Sequence, residues 1–135
     1  MVRGRPEPDP ALVARVGRVA LALPEAYEED AWTGVRWRVR TRTFAHVLVL
    51  TADRAREYAG SPTLGGLDAV PVVTFRADGE ELLALEAAGW PYLKPPWAPT
   101  VLALVLDERT DWTEVPELVT ESYRLLAPAK LSRLL

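Results

Sequence analysis

The sequence predicts an α+β fold: one two-layer domain, residues 1–135, in which helices cover one face of an antiparallel sheet of about five strands. Residues 35–40 alternate strictly between apolar and arginine side chains, and a turn and a second β-rich run follow, which is typical of a hairpin. Apolar residues recur at helical spacing near both ends of the chain. We expect the order helix, three or four strands, helix, strand and helix.

The first helix and an edge strand precede the hairpin. Asp9 followed by Pro10 predicts a helix start, because Asp caps the first turn and Pro fits the first helical position. We expect Pro24 to end this helix. The run YEEDAWTG then predicts a short edge strand that ends at Gly34.

The hairpin register decides which side chains are buried. If Thr41 and Arg42 form a two-residue turn, Trp37 pairs with His46. This register predicts two opposite faces. The buried face carries Trp37, Phe44, His46, Leu48 and Leu50, and the other face carries Arg36, Arg38 and Arg40 beside Thr43, Ala45 and Val47.

The second half of the chain predicts two helices and two strands. Residues 53–69 are polar and broken by glycine, and residues 70–77 form a strand. Asp78 and Glu81 predict a variant capping box for a helix that Gly89 ends. Residues 90–99 form a rigid aromatic loop, residues 100–107 form a strand that is apolar on both faces, and the last helix begins at Thr113 or Val115.

Several classes of function are not expected. The chain has no Cys, and it shows neither a His-x-x-x-His motif nor a paired-carboxylate motif, so we expect no metal and no cofactor. The single histidine, His46, falls on the predicted core face, and Ser122 lies outside a nucleophile elbow and bonds back to its own helix. We therefore expect no enzyme. Because the sequence shows neither a signal peptide nor a long apolar run, we expect a cytoplasmic protein.

The charge is unevenly distributed. The net charge of −3 argues against strong general affinity for nucleic acid. Residues 31–76, however, contain seven Arg against three acidic residues, which gives +4. Such asymmetry can mark a binding face.

Four in-line arginines form the first candidate site: Arg36, Arg38, Arg40 and Arg42. Alternate residues on one strand face lie about 6.6–6.8 Å apart, comparable with the spacing of phosphates along a nucleic-acid strand. Alternatively, these arginines form a solvated face and pair with the neighbouring acidic run, residues 25–30. The aromatic loop offers a second contact through Trp90, Tyr92 and Lys94, since aromatic rings stack on bases. We expect Trp97 to be buried.

Four ordered motifs resemble the MmcQ/YjbR family. They are Leu23-Pro24-Glu25, Arg42-Thr43-Phe44-Ala45, Trp97 before the late strand, and Ser122-Tyr123 in the last helix. The first residue of the second motif is usually Lys, and Arg42 keeps its charge. The resemblance implies a compact fold similar to that of type III secretion chaperones. It also implies DNA binding, with wing-like hairpins as the contacts.

Two functions follow as hypotheses. The first is weak DNA binding through the arginine hairpin. The alternative is a protein-interaction or chaperone-like module that pairs with a partner or with a second copy. This pairing would use Ala45, Val47 and Val49, because a two-layer domain leaves one sheet face uncovered.

Overall fold

The computed structural model describes residues 6–135 and confirms the α+β architecture. Within this range the strands are β1 (Tyr27–Asp30), β2 (Val35–Val39), β3 (Arg42–Thr51), β4 (Ala69–Arg76), β5 (Tyr92–Leu93) and β6 (Val101–Val105). The helices are α1 (Pro10–Ala20), α2 (Gly79–Ala88), α3 (Glu114–Leu126) and α4 (Ala129–Ser132). The strands form one sheet in the order β1-β2-β3-β4-β6-β5, with every neighbouring pair antiparallel. The predicted aromatic loop supplies the additional strand β5. A single domain over residues 1–135 stays a prediction, since residues 1–5 lie outside the described part.

The start of α1 is confirmed and its predicted end is wrong. The Asp9 side chain accepts a hydrogen bond of 2.9 Å from Ala11 N, and Pro10 occupies the first helical position. The helix ends at Ala20 rather than at Pro24, because the chain then tightens into a turn in which Leu23 N donates to Ala20 O.

The hairpin turns one residue earlier than predicted. Arg40 and Thr41 form the turn, so Val39 pairs with Arg42. The register then shifts, and Trp37 pairs with Ala45 rather than with His46. Phe44 is left without a partner on β2, which makes it the extra residue of a β-bulge.

This bulge exchanges the faces predicted for β3. Ala45 and Val47 lie with Trp37 in the main core under the helices, and both are fully buried. His46 and Leu48 lie on the opposite face. The prediction of an uncovered surface at Ala45, Val47 and Val49 is therefore wrong for Ala45 and Val47, and Val49 is half-buried.

The face away from α1 and α3, called here the far face, has a second core over part of its surface. The segment predicted to be polar and irregular contains the 3-10 turns Ala52–Glu57 and Leu64–Gly66. This segment buries Ala55, Tyr58 and Leu64 against Leu48, Leu50 and Val72. Because both faces are covered, β6 is apolar on both sides, as predicted.

The later helices lie close to their predicted positions. The Asp78 side chain makes no cap hydrogen bond, so the capping box predicted for α2 is wrong. Gly89 ends this helix with a φ of 69°, as predicted. α3 begins at Glu114, between the two predicted starts, with Thr113 at its N-cap.

Candidate nucleic-acid interface

Arg36 and Arg38 share one carboxylate. Arg36 Nε donates to Glu29 Oε1 over 2.6 Å, and Arg38 Nη1 donates to the same oxygen over 3.2 Å. The hydrogen bond from Arg36, together with the charges of both guanidinium groups, lowers the pKa of Glu29. Since one carboxylate serves two arginines, the cluster keeps a charge of +1.

Arg40 and Arg42 leave the line of the first two arginines. Arg40 lies in the turn and contacts Glu25 through two hydrogen bonds of 2.8 and 3.4 Å. Arg42 pairs with Val39, whose side chain lies in the main core, so Arg42 is on the helix side of the hairpin. Its side chain makes no hydrogen bond or ion pair within residues 6–135. The alternative interpretation is thus confirmed for the pairing of Arg36, Arg38 and Arg40 with neighbouring glutamates.

Trp90, Tyr92 and Lys94 lie at the other end of the sheet. Strands β4 and β6 separate β5 from the arginine hairpin, which is formed by β2 and β3. Trp90 packs against the second core, and the Tyr92 hydroxyl donates to the Glu114 carboxylate. Lys94 Nζ donates to two backbone oxygens over 2.9 and 2.7 Å, and burial lowers its pKa. The structure therefore does not place these three side chains beside Arg36 and Arg38.

Arg76, which is not among the predicted site residues, lies on the same face as Arg36. It is the last residue of β4, and its Nη1 donates to Thr100 Oγ1 over 3.0 Å. Thr74 and Arg76 are polar on alternate positions, and this break in an otherwise apolar strand was the available signal. Together they help to line a groove of about 180 Å³, called here the basic groove. Its lining includes Arg36, Thr43, His46, Thr74, Arg76 and Trp97.

The basic groove keeps a positive charge. Arg36, Arg38 and Arg76 contribute +3 and Glu29 contributes −1, which leaves +2. Arg38 belongs to this sum because it pairs with Thr43 in the groove wall.

Two side chains at the edge of this groove differ from expectation. Trp97 is 46% exposed, so its predicted burial is wrong. His46 lies on the opposite face from Trp37, and its Nε2 donates to Thr33 O over 2.6 Å. Burial lowers the pKa of His46, and the charge of Arg36 lowers it further, so the imidazole is neutral at pH 7.

A larger hollow continues from the basic groove across the far face. It encloses about 560 Å³ and shares His46 and Trp97 with the groove. Its other walls include Trp32, Leu48 and Tyr58. We call it the aromatic hollow.

Three of the four family motifs meet inside the protein. Ser122 Oγ donates to Phe44 O over 2.7 Å, not to its own helix as predicted, and it accepts from Arg76 N over 2.8 Å. The Tyr123 hydroxyl donates to Pro24 O over 2.6 Å, and its ring meets the Phe44 ring edge-to-face with centroids 5.3 Å apart. These contacts hold the bulge against α3, whereas two other motif residues, Thr43 and Trp97, line the basic groove.

Other kinds of site are not seen in the described residues. Within residues 6–135, no group of three or more His, Asp or Glu side chains could hold a metal ion. Over the same range, each helix falls short of the length and apolar character needed to cross a membrane.

Comparison with protein-family models gives a match over most of the chain. The family model of YjbR matches residues 21–125, which include all four motifs. No curated protein and no solved structure matches the chain.

Proposed function

The chain belongs to the YjbR family, and from this premise we propose that it binds DNA weakly through the basic groove. The observation that carries the proposal is the +2 charge of the groove beside an exposed Trp97. Arginine side chains bind phosphates, and each neutralised phosphate releases counterions. Arg76 supports the proposal most directly, because its guanidinium contacts a hydroxyl group rather than a carboxylate.

The binding is expected to be weak for two reasons. Glu29 competes with phosphate for Arg36 and Arg38, and Glu25 occupies Arg40. The chain as a whole carries −3, which repels a polyanion outside the groove. The proposal therefore moves the contact from four hairpin arginines to Arg36, Arg38 and Arg76.

Fluorescence anisotropy with a labelled oligonucleotide, measured from low to physiological salt, tests this proposal. We expect Arg76→Ala to weaken binding and to reduce the slope of log K against log salt by about 0.7–0.9. The matched control is Arg124→Ala, which removes the same charge from the exposed pair with Glu121 on α3. Equal slopes for the two variants, or no binding at low salt, would refute the proposal.

We propose binding without catalysis, in the cytoplasm. An oligonucleotide incubated with the protein should be recovered intact, and cleavage or modification that survives repurification would contradict this part. Self-association through Ala45 and Val47 is not retained, because both side chains lie under the helices.

A further inference from the structure

The basic groove and the aromatic hollow are neighbours on the far face. They have His46 and Trp97 in common, so a molecule bound in one cavity directly meets the other. The groove side carries Arg36 and Arg76, whereas the hollow side carries mainly aromatic and aliphatic surface. A positively charged track beside aromatic rings is the arrangement that binds single-stranded nucleic acid.

The walls of the hollow are suited to a flat, apolar ligand. Trp32 is 82% exposed and Trp97 is 46% exposed, and both line the hollow. Leu48 and Tyr58 are buried beneath them. The volume of about 560 Å³ falls within the range of small-molecule sites, about 300–1,000 Å³.

We propose that the aromatic hollow receives an unpaired base, and that the domain therefore prefers single-stranded to double-stranded nucleic acid. This inference rests on the proposed function, because the phosphate next to that base would lie in the basic groove. Only an unpaired base can leave its stack and place its face against a tryptophan ring.

The charges at the rim indicate which side of the site would hold the phosphate backbone. Asp53 lies at the rim of the hollow, and Arg54, also at the rim, is paired with Glu57. A phosphate at this rim would meet a net negative charge, whereas a phosphate in the groove meets Arg36 and Arg76. The backbone is thus held on the groove side, and the base alone enters the hollow.

Three labelled oligonucleotides of one length test the inference at low salt: a single strand, the same sequence as a duplex, and the single strand with abasic sites in place of its nucleotides. We expect the abasic strand, which keeps every phosphate, to bind about 5- to 150-fold more weakly than the normal strand. The duplex, despite its doubled charge, should bind more weakly than the normal single strand, because its paired bases cannot enter the hollow.

Trp32→Ala locates the effect, since Trp32 lines the hollow and not the groove. This variant should bind the normal strand as weakly as the abasic one and leave abasic binding unchanged. The matched control is Trp112→Ala, whose ring packs against Arg15 on the helix side with the guanidinium carbon 4.0 Å from the ring centroid. It should keep the preference for bases.

The outcomes separate the two proposals. Equal binding of the normal and abasic strands by the wild-type protein would overturn the base site and leave phosphate binding in place. Absence of binding to every oligonucleotide would overturn both. If Trp32→Ala instead dissociated a dimer in size-exclusion chromatography without affecting oligonucleotide affinity, the hollow would be a contact with a second copy, and the base site would be wrong.

Discussion

Ser122→Ala should destabilise the protein strongly for the removal of one oxygen atom. The hydroxyl group joins α3 to two strands, because it donates to Phe44 O at the bulge and accepts from Arg76 N at the end of β4. Ser122 is fully buried, and Phe44 is 1% exposed. Without Oγ, the Phe44 carbonyl group loses this partner in the buried core, and the Arg76 N–H loses it at a half-buried residue.

The size of the effect follows from these two groups. A buried donor or acceptor left unsatisfied costs about 1–3 kcal/mol. Arg76 is only half-buried, so water can reach its N–H more easily than the Phe44 carbonyl group. We therefore expect Ser122→Ala to lower the free energy of unfolding by about 2–4 kcal/mol.

Urea unfolding gives the free energies, with the denaturant slope checked for constancy. Ser132 offers the control, because its hydroxyl group is buried but has no hydrogen-bond partner within residues 6–135. Ser132→Ala should change the free energy of unfolding by less than about 0.5 kcal/mol, or raise it. The two hydrogen bonds of Ser122 would not be what holds α3 to the sheet if both substitutions lowered the free energy of unfolding equally, or if Ser122→Ala lowered it by less than about 1 kcal/mol.

Three further predictions follow from the same geometry. Glu29→Gln releases the two arginines that share this carboxylate, so it should tighten DNA binding and steepen the salt slope by about 0.7–0.9 in anisotropy; an unchanged slope would contradict the charge sum for the groove. Gly34 and Gly66 both have positive φ, but an added Cβ would overlap Val47 O at Gly34 and would meet nothing within 4 Å at Gly66. Gly66→Ala should therefore cost only about 1–2 kcal/mol in urea unfolding and Gly34→Ala clearly more; equal costs would exclude the overlap. The pKa of His46 is lowered in the folded protein, so the unfolded chain takes up its proton first. The stability that His46 contributes is thus complete above its ordinary pKa of about 6.5 and falls as the pH drops below it. His46→Gln should therefore reduce the pH dependence of the free energy of unfolding in that window.

Much of the fold could be predicted because local rules agree with the final structure. The Asp9-Pro10 start of α1 and the Gly89 end of α2 depend only on neighbouring residues, and both are confirmed. The alternating run in β2 and the apolar run in β6 likewise give strands where expected. The physical cause of each of these features lies within a few positions of the chain.

The hairpin register could not be predicted in this way. A bulge adds one residue to one strand, and no pattern within residues 35–50 announces Phe44 as that residue. The bulge is held by Ser122, which lies 78 positions further along the chain. Because the predicted register is wrong, the faces predicted for β3 and the surface predicted for self-association are wrong as well.

The candidate site was only partly visible for a related reason. Arg36 and Arg38 were identified from their alternation, but Arg76 and Trp32 reach the far face from other segments of the chain. The sequence predicts Trp97 to be buried under the sheet edge, whereas the turn-rich segment at 95–100 leaves it on the surface. Assembly of this face depends on the sheet order, which no single segment encodes.

The acidic strand β1 affects whether copies of the protein associate through the edges of their sheets. It lies at the end of the sheet, where a strand can recruit another chain. If two copies joined through antiparallel β1 strands in the centred register, Glu28 of each would face Glu29 of the other, and like charges directly opposite are unfavourable. The Glu29 carboxylate, which pairs with Arg36 and Arg38, therefore also opposes edge-to-edge association of the sheet into a fibre. Any variant that neutralises Glu29 is expected to associate more readily in this way.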